Sequence, residues 1–207
     1  MSNIIKTISA AVGLALAAGA AGAQGLPPGV FPGSPDLKGA PAGAYALDPS
    51  HAAVIARVSH IGYSYSVFRF DKVKGDLTWD PAAPAKSNVS ITVQTGSIAT
   101  NVSGFATELS GAGFLNTGAF PQATFVSTAF HQTDALHGKV DGQFTLLGKT
   151  APLTFDVTLV GAGKGFMGHP RLGVHGEAQI DPKAYGLPPF FQAPIALVVD
   201  TEFAKTN

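Results

Sequence analysis

Six histidines are the first residues to weigh for chemistry, and their spacing argues against a shared metal. His51 and His60 stand nine residues apart, His131 and His137 six, and His169 and His175 six. A helix face gathers ligands at i, i+4 and a strand face at i, i+2, and none of these pairs has either spacing. The chain has no cysteine, which removes thiolate ligands, thiol nucleophiles and disulfides together. A site assembled from distant loops stays open, but no pattern builds one, so neither a metal nor another cofactor is expected. The histidines read as turn residues, with His60 at a strand end, bonding to nearby backbone.

Nucleophilic catalysis has less support. There is no Gly-x-Ser-x-Gly elbow, and Asp48, Ser50 and His51 are too close in sequence to form a triad by themselves. Asp48-Pro49 reads more simply as a turn entering the first strand. Gly142 to Gly148 followed by Lys149-Thr150 superficially suggests a phosphate loop. It has five residues between the glycines where that loop needs four, and it joins two antiparallel strands. Asn88-Val89-Ser90 and Asn101-Val102-Ser103 are glycosylation sequons only in a eukaryotic secretory route. No catalytic residue is assigned, and the chain is not expected to be an enzyme.

Charge narrows the partners. Lys and Arg number 13, as do Asp and Glu, with no basic run. Nucleic acids and anionic lipid headgroups both demand clustered positive charge, so neither is expected to recruit the chain. Charged residues make up 13% of the sequence, about half the usual share. That leaves more polar-neutral or apolar surface, in keeping with an apolar ligand or partner.

The chain opens on a processing signal. Lys6 is the only charge ahead of an Ala/Gly/Leu/Val run from Ile8 to Ala20, and Ala21-Gly22-Ala23 fits a small-x-small cleavage site. Residues 1–23 are therefore expected to be a secretory signal peptide cut before Gln24. The alternative is an N-terminal anchor, but the run is short and Ala/Gly-rich against the ~20 strongly apolar residues a span requires. The signal looks bacterial, so the expected location is the periplasm or beyond, with no stable transmembrane span after cleavage. Residues 24–44 are dense in Pro and Gly without an apolar period, which predicts a disordered arm. No second linker follows Tyr45, so residues 45–207 are expected to form one domain.

That domain must be built from strands. In Lys139 to Val160, Val140, Phe144 and Leu146 alternate with Asp141, Gln143 and Thr145; then Leu153, Phe155, Val157 and Leu159 alternate with Thr154, Asp156 and Thr158. A period of two means one buried and one wet face, and the Gly-containing connection makes the pair an antiparallel hairpin. Pro152 cannot donate to a ladder, so it belongs at the start of a strand or on an edge. Similar short runs recur at Val54–Val58, Phe68–Phe70, Leu77–Trp79, Val89–Val93, Ala123–Ser127, Leu172–Ile180 and Ile195–Phe203. The parity of Phe68 and Phe70 differs from that of Leu77 and Trp79, so a bulge or turn lies around Asp71 to Gly75. Only Thr100 to Leu115 departs, where Ser103 is expected to cap a short helix stacking Phe105 on Leu109. Closing eight or so such strands into a barrel removes exposed edges and can enclose one small ligand.

Several signatures, in order, resemble the YceI family of exported, lipocalin-like polyisoprenoid-binding proteins. They begin at Tyr45 with Leu47-Asp48-Pro49-Ser50-His51, then Val54, Ala56, Val58, His60 and Gly62. Phe68-Arg69-Phe70, Gly75-Asp76-Leu77, Asp80-Pro81 and the strand Val89–Val93 leading to Ser97-Ile98 follow. Phe114-Leu115-Asn116 with Phe120 to Phe125 and Ser127, the hairpin from Gly142 to Leu153, and Tyr185-Gly186 complete the set. Two places depart from the family pattern: Phe105-Ala106-Thr107-Glu108-Leu109 replaces a charged Arg-Asp-x-His-Leu run, and Pro182 stands where an Arg usually follows the strand near Ile180. The resemblance implies an all-β, lipocalin-like antiparallel barrel whose apolar interior sequesters an isoprenoid or similar lipid. It also makes a homodimer conceivable, and it does not imply catalysis.

Fourteen Phe against four Tyr and one Trp supply rings that need no hydrogen-bond partner when buried. Periodicity alone leaves open whether they fill a solid core or line a cavity. Taken with the resemblance, the candidate wall is Phe68, Phe70, Ile91, Val93, Phe125, Phe144, Leu146, Phe155 and Val157, with Phe114 and Leu115 at the mouth. Burying one CH2 contributes ~0.8 kcal/mol and association costs ~4–15 kcal/mol, so the ligand needs roughly ten or more carbons. A polyisoprenoid, an isoprenoid quinone or a fatty amide fits. The rival expectation is a β-sandwich interaction or stress-response module with a packed interior and no ligand. A hydrolase or metal enzyme ranks last.

Overall fold

The protein is described by a computed structural model covering residues 26–206. The expected signal peptide, its cleavage point and the first residues of the arm lie outside the described residues.

Ten strands and two short helices follow: β1 (Gly43–His60), β2 (Ser64–Phe70), β3 (Val73–Trp79), β4 (Asn88–Gln94), β5 (Ile98–Ala99), α1 (Phe105–Ser110), β6 (Gln122–Gln132), β7 (His137–Leu146), β8 (Lys149–Gly163), β9 (Arg171–Ile180), α2 (Pro182–Tyr185) and β10 (Ile195–Lys205). All pairings are antiparallel. Eight strands run β10-β9-β8-β7-β6-β4-β3-β1, and β1 pairs back onto β10, so the sheet closes into the expected barrel. β2 and β5 extend from the far half of β1.

β1 makes closure possible because it changes partners along its length. Gly43–Ala46 pair with β3, and Val54–His60 pair with β2. Between them the register against β10 jumps from Leu47↔Phe203 to Ala52↔Thr201, so Asp48 to His51 bulge opposite Glu202 alone. Asp48-Pro49 is thus a bulge inside the first strand, not a turn before it. The Asp48 carboxylate accepts from the Ser50 amide at 3.0 Å, which holds the bulged chain in place.

The strand alternations read from sequence recur in burial. Val140, Leu146, Leu153 and Leu159 are buried, with Phe144, Phe155 and Val157 packed beside them. The β7–β8 turn is two residues, Leu147 and Gly148, both at positive φ, the type I′ geometry that matches strand twist. Pro152 pairs with Gln143 of β7. The ladder to β9 begins only at Asp156, so the other side of β8 at Pro152 is a local edge, covered by α2 with its buried Tyr185.

Two further expectations are corrected. The short helix starts at Phe105, but its cap is Gly104 at φ 78°, not Ser103; the Glu108 amide donates to the Gly104 carbonyl at 3.3 Å. From Leu26 onward, the arm expected to be disordered lies against the barrel. Ser34 bridges to Ala162 and Val30 to Phe166. Ala40 is buried, and its carbonyl accepts from the Trp79 indole Nε1–H at 3.2 Å. Glycine permits this approach: a Cβ on Gly39 would sit 2.7 Å from the Ala162 backbone. The residue types that suggested disorder are those a chain needs to pack backbone against backbone.

Antiparallel order gives the barrel two ends. The arm end carries residues 26–42, the β3–β4 and β6–β7 turns and the β8–β9 loop. The aromatic end carries the β1–β2 and β7–β8 turns, residues 100–121 with α1, and α2 with the Pro/Phe loop after it.

Candidate functional site

The barrel interior holds a partly open cavity of about 300 Å³ with an almost wholly apolar lining, within the size range of small-ligand pockets. All eleven residues singled out from sequence line it. β2 contributes Phe68 and Phe70, β4 Ile91 and Val93, and β6 Phe125. β7 adds Phe144 and Leu146, β8 adds Phe155 and Val157, and Phe114 and Leu115 come from the segment after α1.

The rings are fixed by one another. Phe125 meets Phe155 edge-on with centroids 5.1 Å apart, and Phe144 meets Tyr185 at 5.3 Å. These are favourable quadrupole arrangements that lock orientation. A Cβ at Gly142 would collide with the Phe125 ring, so the absence of a side chain there leaves room for that ring. At the aromatic end, β2 lacks a neighbour along most of its outer edge, and α1 covers the gap. Phe105 packs on Phe68 at 6.0 Å, and Leu109 is buried with Phe68 and Ile98.

Sequence reasoning missed other lining residues: Leu37, Trp79, Leu136, Leu187 and Phe191 among them. Trp79 shares a face with Leu77 and was legible as inward. Leu37, Leu136, Leu187 and Phe191 sit in the arm, a turn and a Pro-rich loop, where no periodicity announces burial. Leu37 and Leu136 fill the arm end; the Leu136 carbonyl accepts from the Leu159 amide at 2.7 Å. Phe191 joins Phe114 at the aromatic end, 6.4 Å between centroids.

Polar groups reach the cavity at the arm end, through His131, Gln132, Asp134, His137 and Lys139 on and beside the β6–β7 turn. Asp134 organises this turn. Amide donation from Leu136 at 2.8 Å, followed by the His137 contact at 2.9 Å, holds its carboxyl below the ordinary value.

Four histidines each meet a carboxylate rather than another histidine: His51 with Asp48, His131 with Asp141, His137 with Asp134, and His175 with Asp200 and Glu177. On the outside of the arm end, Asp48, His51 and Glu202 present ligand atoms within 4.8 Å of one another. Arg171 already occupies that position, donating to Asp48 at 2.7 Å and to Glu202 at 2.8 Å. The guanidinium, with His51 second, holds the Asp48 carboxyl well below the usual carboxylate range, and Asp48 in turn raises the pKa of Arg171. This cluster pins the β1 bulge to β9 and β10.

Residues 45–203 match the family described as the YceI-like domain. The chain belongs to this family. Among its relatives, the UPF0312 protein of Shewanella oneidensis is 36% identical over 145 residues, 69% of this chain and 76% of that protein. Shew185_3055 of Shewanella baltica, another UPF0312 protein, is 37% identical over 138 residues, 67% of this chain and 72% of the relative. Among solved structures, Burkholderia cenocepacia BcnA superposes with a TM-score of 0.68 at 21% identity, covering 75% of this chain and 98% of BcnA. A polyisoprenoid binding domain from Saccharophagus degradans gives 0.56 at 13% identity, covering 78% and 98%. At those identities the superpositions establish a shared YceI-like barrel.

Proposed function

We propose that this YceI-like chain is an exported bacterial binding protein that sequesters one long apolar molecule, such as a polyisoprenoid, an isoprenoid quinone or a fatty amide. The observation that carries the reading is the cavity of about 300 Å³ inside the barrel, with an almost wholly apolar lining. A solid core would have left the eleven lining residues in contact only with one another. The polyisoprenoid-binding domain of Saccharophagus degradans, which has the same fold, supports the ligand class. No polar constellation at the cavity suits bond-making chemistry: its ionisable residues cluster at one end, and Asp134 is committed to its own turn. Binding rather than turnover is the activity proposed.

Gentle native mass spectrometry of the purified protein, with solvent extraction and mass identification of what it carries, tests this. A stoichiometric lipid adduct is expected. Protein that stays empty after loading with a quinone or a prenol overturns the proposal.

A further inference from the structure

The β1–β2 turn carries an unusual pair of residues for a hairpin tip. Ile61 lies at φ 54° and Gly62 at φ 79°, with the Tyr63 amide donating to the His60 carbonyl at 3.0 Å. A β-branched residue in the left-handed region is strained, and Asn, Asp or Gly would occupy it at lower cost. The β7–β8 turn solves the same geometry with Leu147, which packs against the core cluster around Tyr185. Ile61 has no such compensation: it is 82% exposed, and Tyr63 beside it is 89% exposed.

Placement gives the tip a direction. Arg57 pairs with Ala196, so β10 begins one residue further along, and the hairpin runs on past it at the aromatic end. The overhang is roughly 10 Å at strand rise. Behind the tip, Tyr65 and Val67 are also exposed, and Arg57 lies over the Tyr65 ring at 4.9 Å. The chain as a whole is neutral, but this segment is not: from Ala52 to Phe70 it contains Arg57, His60 and Arg69 and no acidic residue. Arg69 is neutralised by Asp71; Arg57 is not paired with a carboxylate among the described residues. An apolar tip, amphipathic tyrosines and a cation behind them match the layers of an anionic bilayer surface, from acyl boundary to headgroup.

We propose that the β1–β2 hairpin docks the barrel on the surface of an anionic lipid bilayer, with Ile61 and Tyr63 inserted among the headgroups and the aromatic end facing the lipid. Insertion of the apolar tip carries the binding and Arg57 adds to it, so the lack of a basic run, which argues against recruitment by charge alone, does not oppose it. The strain at Ile61 is the cost of presenting an apolar tip. The purpose of docking, transfer of a lipid between bilayer and cavity, rests on the binding reading above; the docking itself does not.

The test uses the full chain with vesicles of phosphatidylcholine alone and of phosphatidylcholine with phosphatidylglycerol, each prepared with and without brominated acyl chains. Tyr63→Trp adds a local reporter, read as quenching beyond that of the unsubstituted chain. Brominated anionic vesicles are expected to quench the added indole, with weaker quenching when phosphatidylglycerol is omitted. Ile61→Asn with Tyr63→Ser should lower the partition coefficient roughly tenfold or more, since both burial contributions are lost, while circular dichroism stays that of the barrel. The rival apolar patch at the arm end, where Phe166 is 62% and Met167 65% exposed, is read with Met167→Trp. Quenching there and not at position 63 overturns the proposal. So does vesicle sedimentation with no quenching at position 63, or no sedimentation at all. Each of these outcomes is independent of whether the protein carries an extractable lipid.

Discussion

The two ends of the barrel are built on opposite principles. At the arm end, closure is by specific polar contacts: the Trp79 indole to the buried Ala40 carbonyl, the Tyr45 hydroxyl to the Pro41 carbonyl at 2.6 Å, and the Arg171 guanidinium between the Asp48 and Glu202 carboxylates. At the aromatic end, closure is by rings resting on rings, Phe114 against Phe190 and Phe191, with Phe190 61% exposed. Hydrogen bonds to buried groups are costly to leave unmade, and they fix one geometry. The contacts of Phe114 with Phe190 and Phe191 satisfy no buried donor or acceptor, so they can be lost and remade after a displacement without leaving a polar group unpaired. The arm end is therefore a fixed floor, and the aromatic end is the one suited to opening.

The largest effect is expected from removing the floor. Trp79 is buried and also lines the cavity, so Trp79→Ala should destabilise the protein by about 3–5 kcal/mol, measured by urea unfolding. A loss below about 1 kcal/mol would show that the arm does not hold that end.

Next comes the ion cluster outside the floor. Arg171→Met leaves Asp48 and Glu202 facing each other, and about 1–3 kcal/mol should be lost at neutral pH, after allowance for partial exposure. The pH dependence follows from Asp48, whose carboxyl is depressed chiefly by Arg171. A depressed carboxylate stabilises the fold above its unfolded value and loses that contribution as pH falls through the folded one. The unsubstituted protein should thus lose stability steeply below about pH 4, and Arg171→Met should flatten that limb. Equal slopes would place the acid sensitivity elsewhere.

The aromatic end should respond in the opposite way. Phe114 is only half-buried, so Phe114→Ala should cost less than about 1.5 kcal/mol. Release of a bound fluorescent lipid should nonetheless accelerate several-fold, followed by transfer to acceptor vesicles. A large stability loss with unchanged release would erase the distinction between floor and gate.

What the sequence made legible follows the same division. Runs with one wet and one dry face, such as Val89–Val93 and Leu153–Leu159, announced both strand and inward face, and they supplied the cavity wall. Barrel closure was not written locally, because β1 meets β10 from the far end of the chain and changes partner at a bulge of Asp, Pro, Ser and His that interrupts the alternation. The floor was least legible. Its key acceptor is the backbone carbonyl of Ala40, and backbone carries no side-chain signature. Leu37 and Leu136 lie in turns whose neighbours give no period.

The smallest expected effect has the opposite sign, and it sharpens the contrast most. Ile61→Asn places a residue that tolerates the left-handed region at a position where isoleucine is strained. Ile61 is 82% exposed, so the substitution removes little packing from the barrel itself. Relief of strain should therefore raise stability by a few tenths to about 1 kcal/mol, measured as an increased urea midpoint at unchanged slope. At the arm end, substitutions at Trp79 or Arg171 should lose stability, because Trp79 donates to the buried Ala40 carbonyl and Arg171 separates two carboxylates. An isoleucine whose replacement stabilises the fold is held in place by something other than folding. A neutral or destabilising outcome would mean that Ile61 makes contacts within the chain that offset its strain, and the aromatic end would then be built for stability as well.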